Sequence, residues 1–324
     1  MNDTTLLSGT NLVKTFRTSQ RSSAAQVLTA LDRVSIQVTV GETVGIAGES
    51  GCGKSTLAKV MCGLMEPDSG EVSYRGGNLK QLSREEHTIF RRSTQMIFQD
   101  PFSSLNPRLR IGDSIAEPLQ IADIPPDGQR AEVARLMNIV GLNREASNRF
   151  PDEFSGGQRQ RIGIARALAA RPEILIADEP VSSLDISIQA QIINLLLQMK
   201  SDLNLSMMII SHNLLVLHHI CDRIMVMYLG AIVESAPAAS LFRRCRHPYT
   251  EALIAAIPGL ATPAGATTER LSDDIPSALA IPSGCRFHPR CRHAEDICHH
   301  TPPPLVEYAP NHTSACHFST QLYG

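Results

Sequence analysis

The sequence predicts an α/β fold in which a mostly parallel sheet is covered by helices on both faces. Four short segments, TVGIAG (43–48), EILIAD (173–178), SMMIIS (206–211) and RIMVMY (223–228), are largely apolar without alternation. Such runs are typical of strands whose sheet is buried on both faces. Segments of helical character separate them, and strands that alternate with helices indicate a parallel sheet.

Shorter strands are predicted around the first of these segments. Residues 8–16 and 34–40 read as strands, and SIQVTV in the second alternates polar and apolar residues, which indicates a half-buried strand. A polar, Ser-rich loop is predicted between them over residues 17–26. Two more strands, EVSYRG from residue 71 and QMIF from residue 95, follow the first buried strand.

Helices are predicted after the first buried strand, between the later ones, and over most of a long central region. The first begins near Lys54, directly after a glycine-rich turn. Residues 111–169 are predicted to be mostly helical, because apolar residues recur there at the spacing of a helix. Four apolar residues there have the spacing of one helix face: Val133, Leu136, Met137 and Val140.

Composition excludes several classes of protein. The chain has 324 residues, of which 43% are hydrophobic and 19% charged, as in globular proteins. Thirty Lys and Arg stand against 32 Asp and Glu, so there is no basic field to hold a nucleic acid. No export signal and no run of about 18 apolar residues is present. If the protein works at a membrane, other chains are expected to cross it.

The character of the sequence changes near residue 258, which predicts two unequal domains, 1–258 and 259–324. The second begins with a linker rich in Pro, Ala, Ser and Thr. It contains four of the eight cysteines and six of the eleven histidines. In a cytosolic chain, cysteines are read as thiols or ligands before disulfides.

The segment GESGCGKST, from 48 to 56, has the G-x4-G-K-[ST] spacing of a phosphate-binding loop between a strand and a helix. Glycines let backbone N–H groups converge on phosphates, Lys54 reaches the terminal phosphates, and the Ser55 hydroxyl binds Mg²⁺. The candidate ATP-binding residues are Gly48, Ser50, Gly51, Cys52, Gly53, Lys54, Ser55 and Thr56.

Two acidic residues follow the apolar strand ILIAD at its carboxyl end. Such a position lies beside the phosphate loop, so Asp178 is predicted to hold Mg²⁺. Glu179 is predicted to act as the general base that polarises the attacking water. Without the phosphate loop, Asp-Glu-Pro after a strand would indicate only a turn.

The segment EFSGGQRQRIGIARAL indicates a second anion-binding helix. Ser155 can cap a helix whose first turn exposes the backbone N–H groups of Gly156 and Gly157, with Gln158 next. Alone, such a segment would be read as a structural cap.

Taken in order, GESGCGKS, FQD, SGGQRQR, ILIADEP, SSLD and ISH resemble the ATP-binding subunits of ATP-binding cassette (ABC) transporters, over about residues 8–258. The resemblance implies a RecA-like parallel core, an antiparallel β subdomain and a helical subdomain that carries the signature SGGQ. It also implies head-to-tail dimers, in which each ATP lies between the phosphate loop of one subunit and the signature helix of the other.

The resemblance also assigns roles to particular residues. Gln99 would contact Mg²⁺ and sense the transmembrane partner, and His212 would hold the γ-phosphate and the attacking water. Ser155–Gln158 would reach the ATP of the opposite subunit, with Asp185 at the dimer seam. Phe16 would stack on adenine, although a single aromatic residue on a strand is equally compatible with a core position.

Three more stretches resemble the ATPases of oligopeptide, dipeptide and nickel importers: FQDPFSSLNPRLRIGDSIAEPL, RHPYTEALIAAIP and the tail IPSGCRFHPRC…ACHF. This branch implies a second ATPase in a heterodimer, two permeases, an extracytoplasmic solute-binding protein, and a peripheral location on the cytoplasmic face of the inner membrane. The solute, whether peptide, nickel chelate or glutathione, is left open. Asn213 departs from the Asp that many relatives have after the switch histidine.

The tail cysteines, Cys285, Cys291, Cys298 and Cys316, have the spacing C-x5-C-x6-C-x17-C. Four thiolates suit either Zn²⁺ or one [4Fe-4S] cluster, and the spacing does not choose between them. The importer branch favours [4Fe-4S], with Zn²⁺ as the alternative and unliganded or disulfide-forming cysteines as a third reading. A structural role is expected, because a short Pro-rich tail builds little core.

Two other functions remain open at this point. One is a soluble cassette ATPase in DNA repair, translation or iron-sulfur assembly. The other makes the tail a metal-sensing regulatory module. The HPYTEAL and DPFSSLNPR stretches favour the importer over both.

Overall fold

The computed structural model describes residues 5–18, 26–257 and 277–324, apart from residues 101, 103, 123 and 183. Two sheets form in this part of the chain, one of four strands and one of eight. The strands are β1 Thr5–Thr18, β2 Gln26–Thr39, β3 Thr43–Ala47, β4 Ser69–Tyr74, β5 Gly77–Asn78, β6 Thr94–Ile97, β7 Ile174–Asp178, β8 Ser206–Ile210, β9 Arg223–Tyr228, β10 Ala231–Pro237, β11 Val306–Ala309 and β12 His312–Ser314.

Eleven α-helices lie in the described part of the chain, and the last two belong to the tail. They are α1 Lys54–Met61, α2 Arg84–Ser93, α3 Ile111–Ile121, α4 Pro126–Ile139, α5 Gly156–Ala169, α6 Ile186–Leu203, α7 Leu214–Ile220, α8 Ala238–Arg243, α9 Pro248–Ala255, α10 Asp296–His300 and α11 Ser319–Tyr323. Short 3-10 turns lie at Leu79–Gln81, Arg144–Asn148, Pro151–Glu153 and His288–Arg290. Among the described residues, no helix has the length and apolar character needed to span a bilayer.

The larger sheet has the order β11-β12-β10-β9-β3-β8-β7-β6, and its central strands are parallel. Every residue of β3, β7 and β8 is buried, as the continuous apolar runs predict. This confirms the α/β fold. Because the strands are parallel, the carboxyl ends of β3, β7 and β8 meet at one edge of the sheet, where the site residues follow.

The smaller sheet is antiparallel, with the order β2-β1-β4-β5. Its first two strands are longer than the sequence predicts. The ladder between them extends to Thr18 opposite Gln26, two residues that the sequence places in the loop. Cross-strand pairing, which local polarity does not reveal, extends β1 and β2 into that segment. Residues 19–25 of the predicted loop lie outside the described residues.

The central helical region contains α3, α4 and α5. The four residues predicted to share a helix face are all buried, although α4 ends one residue before the last of them: Val133, Leu136, Met137 and Val140. They join the core that α3 and α5 share with the larger sheet.

The described part of the tail is built onto the edge of the larger sheet. Strand β12 pairs antiparallel with β10, placing Glu234 opposite Ser314, and β11 pairs with β12. The predicted linker falls mostly on residues 258–276, which lie outside the described residues, as does the predicted boundary at residue 258.

Candidate functional site

The phosphate loop lies between β3 and α1 and wraps around the N-terminus of the helix. Gly53 caps α1 with a φ of 107°, in the left-handed region. A Cβ added there would lie 2.1 Å from the backbone oxygen of Ala30. Only glycine fits this position, because a side chain would push the loop away from β2.

Lys54 crosses the inside of the loop. Its Nζ donates to the backbone oxygens of Gly48 and Glu49, each at 2.8 Å, and its side chain is buried. The ammonium group therefore lies against the loop backbone, where it would meet the phosphates of a nucleotide bound by the loop.

Ser55 and Asp178 form a pair of oxygen ligands suited to Mg²⁺. The Ser55 hydroxyl donates to Asp178 Oδ1 at 3.0 Å, and Asp178 is buried at the end of β7. Burial raises the pKa of Asp178, the neighbouring Glu179 raises it further, and the Ser55 hydrogen bond opposes the shift. A cation beside this carboxylate would offset the cost of its burial, and hard oxygen donors are what Mg²⁺ prefers, so the residues fit the ion.

Glu179, the predicted general base, lies within hydrogen-bond distance of both Gln99 and His212. Gln99 Nε2 lies 3.3 Å from Glu179 Oε2, and His212 Nδ1 lies 3.2 Å from the same oxygen. Glu179 has a φ of 45°, in the left-handed region, and its backbone N–H donates to Ile210 on β8. A strained non-glycine residue at this edge holds its carboxylate between two partners from different loops.

Asn213, next to the switch histidine, caps α7 with its side chain. Its Oδ1 accepts from the backbone N–H groups of Leu215 at 3.0 Å and Val216 at 3.4 Å. The amide oxygen therefore stabilises the start of the helix that follows His212.

One cleft joins the phosphate loop to β1 and β2. It has a volume of about 200 Å³ and is lined by Phe16, Leu28, Ala30, Ser50, Gly51, Gly53, Lys54, Ser55, Thr56, Gln99 and Glu179. Phe16 stands at its rim with 37% of its surface exposed. An aromatic ring this exposed is not packed in the core, although the Lys14 ammonium lies over it at 5.9 Å from the ring centroid.

The signature residues form a helix cap away from this cleft. Ser155 Oγ accepts from the backbone N–H of Gln158, and Gln158 Oε1 accepts from the backbone N–H of Ser155. Both side chains are exposed, as is Asp185, which precedes α6. None of Ser155, Gly156, Gly157, Gln158 and Asp185 lines the cleft of its own chain.

The four tail cysteines surround one small cavity of about 10 Å³, which His288, His293 and His317 also line. Burial and the neighbouring thiols raise the pKa of Cys291 to about 12 and that of Cys316 to about 11. All eight cysteines fall in the described part of the chain, and none forms a disulfide. The donor set suits a soft metal centre. In the described ranges, however, no three His, Cys, Asp or Glu side chains are placed to hold one ion together.

Sequence reasoning missed three residues that fix the phosphate loop: Glu49, Tyr249 and Arg290. The backbone N–H of Glu49 donates to the Tyr249 hydroxyl, and its carboxylate accepts from Arg290. Tyr249 and Arg290 lie in HPYTEAL and CRFHPRC, two segments that indicate only the importer branch when read as sequence.

Comparison with known proteins agrees with this geometry. Residues 31–182 match the ABC transporter family, and residues 233–298 match the oligopeptide/dipeptide transporter C-terminal region. The chain is 49% identical over 293 residues to a probable peptide ABC transporter ATP-binding protein of Sinorhizobium fredii, covering 90% of this chain and 83% of that one. It is 46% identical over 317 residues to a putative peptide import ATP-binding protein of Brucella ovis, covering 98% of each.

Solved structures show the same fold. A dimeric ATP-binding cassette in a post-hydrolysis state with ADP and Pi matches with a TM-score of 0.65 and 27% identity, over 72% of this chain and 99% of that chain. The structure of cbiO1 from Clostridium perfringens, part of the ABC transporter complex cbiONQ, matches with a TM-score of 0.63 and 26% identity, over 74% of this chain and 91% of that one. The resemblance found in the motifs is confirmed: the chain belongs to the ABC transporter ATP-binding proteins, in the branch that carries the oligopeptide/dipeptide transporter C-terminal region.

Proposed function

We propose that this chain is the ATP-hydrolysing subunit that powers import of peptides or related small solutes through an ABC transporter. The observation that carries the proposal is the contact of Gln99, Glu179 and His212 beside the phosphate loop. The relatives described as peptide import and oligopeptide transport proteins support the solute class. A soluble cassette ATPase unrelated to transport has no comparable support.

ATP would bind in the cleft above the phosphate loop. Phe16 would stack on the adenine, the loop N–H groups and Lys54 would hold the phosphates, and Ser55, Gln99 and Asp178 would hold Mg²⁺. The ion, when bound, neutralises charge that develops on the phosphates during transfer. The loop residues in this role are Gly48, Ser50, Gly51, Cys52, Gly53 and Thr56.

Glu179 would accept a proton from the attacking water. Its Oε2 already lies within hydrogen-bond distance of Gln99 and His212, so a water between these groups and the γ-phosphate would be oriented on both sides. His212 would hold the γ-phosphate through its other ring nitrogen.

The signature residues would serve the ATP of a second, similar ATPase in a head-to-tail heterodimer. Their support is that the exposed Ser155 and Gln158 cap a 14-residue helix, α5, outside their own cleft. A helix N-terminus offers N–H groups and a positive dipole end to an anion. Asp185 would lie at the seam between the subunits.

Two permeases would dock near Gln99, and an extracytoplasmic solute-binding protein would deliver the solute. The segment after Gln99 exposes apolar side chains that a membrane partner could cover: Phe102, Leu109 and Ile121. The subunit would then lie at the cytoplasmic face of the inner membrane. Closure of the ATPase dimer on ATP and its reopening after hydrolysis would drive the permeases.

This function predicts that the chain co-purifies with permease subunits from detergent extracts. The reconstituted complex should hydrolyse ATP faster in the presence of peptide and its binding protein. Lys54→Ala should abolish both hydrolysis and uptake, because the loop loses the charge that holds the phosphates. A purely soluble complex with no peptide response would contradict the proposal.

We further infer that residues 259–324 form an extension to the ATP-binding domain of residues 1–258, and that Cys285, Cys291, Cys298 and Cys316 hold a [4Fe-4S] cluster, with Zn²⁺ as the alternative. The support is the convergence of the four thiols on one cavity. Since that cavity has a volume of only about 10 Å³, the side chains would have to move apart to admit a cluster.

Metal analysis of an anaerobically purified sample tests this site. We expect iron and acid-labile sulfide with broad absorption near about 400 nm, lost in Cys298→Ser. Cys62→Ser is the matched control, since Cys62 lies outside the cavity. Stoichiometric zinc would instead establish the alternative, and a metal-free protein would contradict both.

A further inference from the structure

Glu49, the second residue of the phosphate loop, is held by Arg290 of the C-terminal tail. Both Nη atoms of Arg290 donate to the carboxylate oxygens of Glu49, each at 2.8 Å. The side chain of Arg290 is 3% exposed and that of Glu49 is 20% exposed. A two-bond, charge-assisted pair that is shielded from water in this way is among the stronger side-chain contacts.

The backbone of Glu49 has a second anchor. Its N–H donates to the Tyr249 hydroxyl at 2.9 Å, and Tyr249 is fully buried on α9. Glu49 is therefore held by two residues, 200 and 241 positions later in the chain. Gly48 and Ser50, its neighbours in the loop, can move little without breaking one of these bonds.

The position of Arg290 is in turn set by an aromatic cluster. The rings of Tyr228, Tyr249 and Phe287 lie 4.6 to 5.4 Å apart, centroid to centroid. The guanidinium of Arg290 lies 5.8 Å from the Tyr228 ring and 5.9 Å from the Phe287 ring. Arg290 ends the short 3-10 turn whose next residue is Cys291. Arg290, which binds Glu49 of the phosphate loop, therefore lies on the turn between Cys285 and Cys291, two of the cysteines that line the cavity.

The charge of Glu49 gives this contact its consequence. A carboxylate in the phosphate loop repels the phosphates of a nucleotide, and because the Glu49 side chain is only 20% exposed, water screens this repulsion incompletely. When Glu49 is paired with Arg290, the two side chains together have no net charge. The pair both fixes the loop and removes an unfavourable field.

We propose that Arg290 is a positioning residue for ATP binding, which holds the phosphate loop through Glu49 and neutralises that carboxylate, so that the affinity for ATP depends on the C-terminal extension. The proposal rests on the proposed function of the cleft as an ATP site. It assigns to the extension a direct effect on the nucleotide site of its own chain.

The test is MgATP binding, measured by calorimetry on the full chain in a Glu179→Gln background that suppresses hydrolysis. Arg290→Gln should weaken binding about tenfold, the effect of one uncompensated charge at roughly 10 Å in a partly buried site. Arg292→Gln is the matched control. It lies on the same segment but pairs with Glu251 instead of the loop, so it should bind as the background does.

Adding Glu49→Gln to Arg290→Gln should recover the part of the lost affinity that the unpaired carboxylate causes, while the Tyr249 hydroxyl still holds the backbone of residue 49. This double variant buries no unpaired charge, so it remains informative if Arg290→Gln alone folds poorly. Equal binding by Arg290→Gln and the background would overturn the proposal, and so would additive losses in the double variant. If the background itself fails to bind MgATP, the proposed function fails instead.

Discussion

Replacing Glu179 with Gln is expected to lower steady ATP turnover by about a thousandfold and to leave MgATP binding intact. Glutamine has nearly the same shape, so its side-chain oxygen can still accept from Gln99 at the position where Oε2 now lies 3.3 Å from Nε2. What it loses is the ability to take a proton from water. The ATPase dimer should therefore close on ATP and stay closed.

Phosphate release under steady conditions measures the turnover, and gel filtration with MgATP measures the closed dimer, both in the presence of the proposed second ATPase. Glu85→Gln is the matched control, because Glu85 is exposed in the first turn of α2 and outside the cleft. Turnover at the wild-type rate in Glu179→Gln would remove Glu179 from the role of general base.

Replacing His312 with Ala is expected to lower the free energy of unfolding by about 3 kcal/mol. His312 Nε2 lies 2.8 Å from Glu234 Oε1, and the two side chains are 5% and 0% exposed. The same Glu234 oxygen accepts from the backbone N–H of Arg246 at 2.6 Å, while Oε2 is buried with no partner among the described residues. Without the imidazole, a buried carboxyl group would keep only one of its contacts.

Urea denaturation of the two proteins in parallel measures this loss. His300→Ala is the control, since His300 is on the same extension but its side chain is 73% exposed. Because β12 carries His312 against β10, the variant should also release the β11–β12 hairpin to protease before the rest of the chain unfolds. A His312→Ala protein as stable as the control would show that Glu234 is satisfied by other groups.

Local sequence patterns predict the centre of this molecule well. The runs that form β3, β7 and β8 are apolar throughout because both faces of the sheet are covered. Since parallel strands end at one edge, residues that follow different strands, such as Glu179 and His212, could be expected near one another before their distance was known.

Contacts between distant segments account for what the sequence did not predict. Glu49 and Arg290 are 241 positions apart in the sequence. The sequence does not indicate with which of the acidic residues an Arg in a cysteine-rich turn will pair. The addition of β11 and β12 to the main sheet was missed for a similar reason. Strands of four and three residues with mixed polarity carry almost no periodic signal, and backbone pairing with β10 defines them.

The edge position of the β11–β12 hairpin also has a consequence for the order of synthesis. Glu234 on β10 leaves the ribosome 78 residues before His312, the partner that covers it. At ordinary translation rates this is a wait of about 4 to 16 seconds. During that interval β10 offers an open strand edge to any neighbouring nascent chain. A growing chain stalled in this window would carry an unpaired strand edge that can associate with other chains.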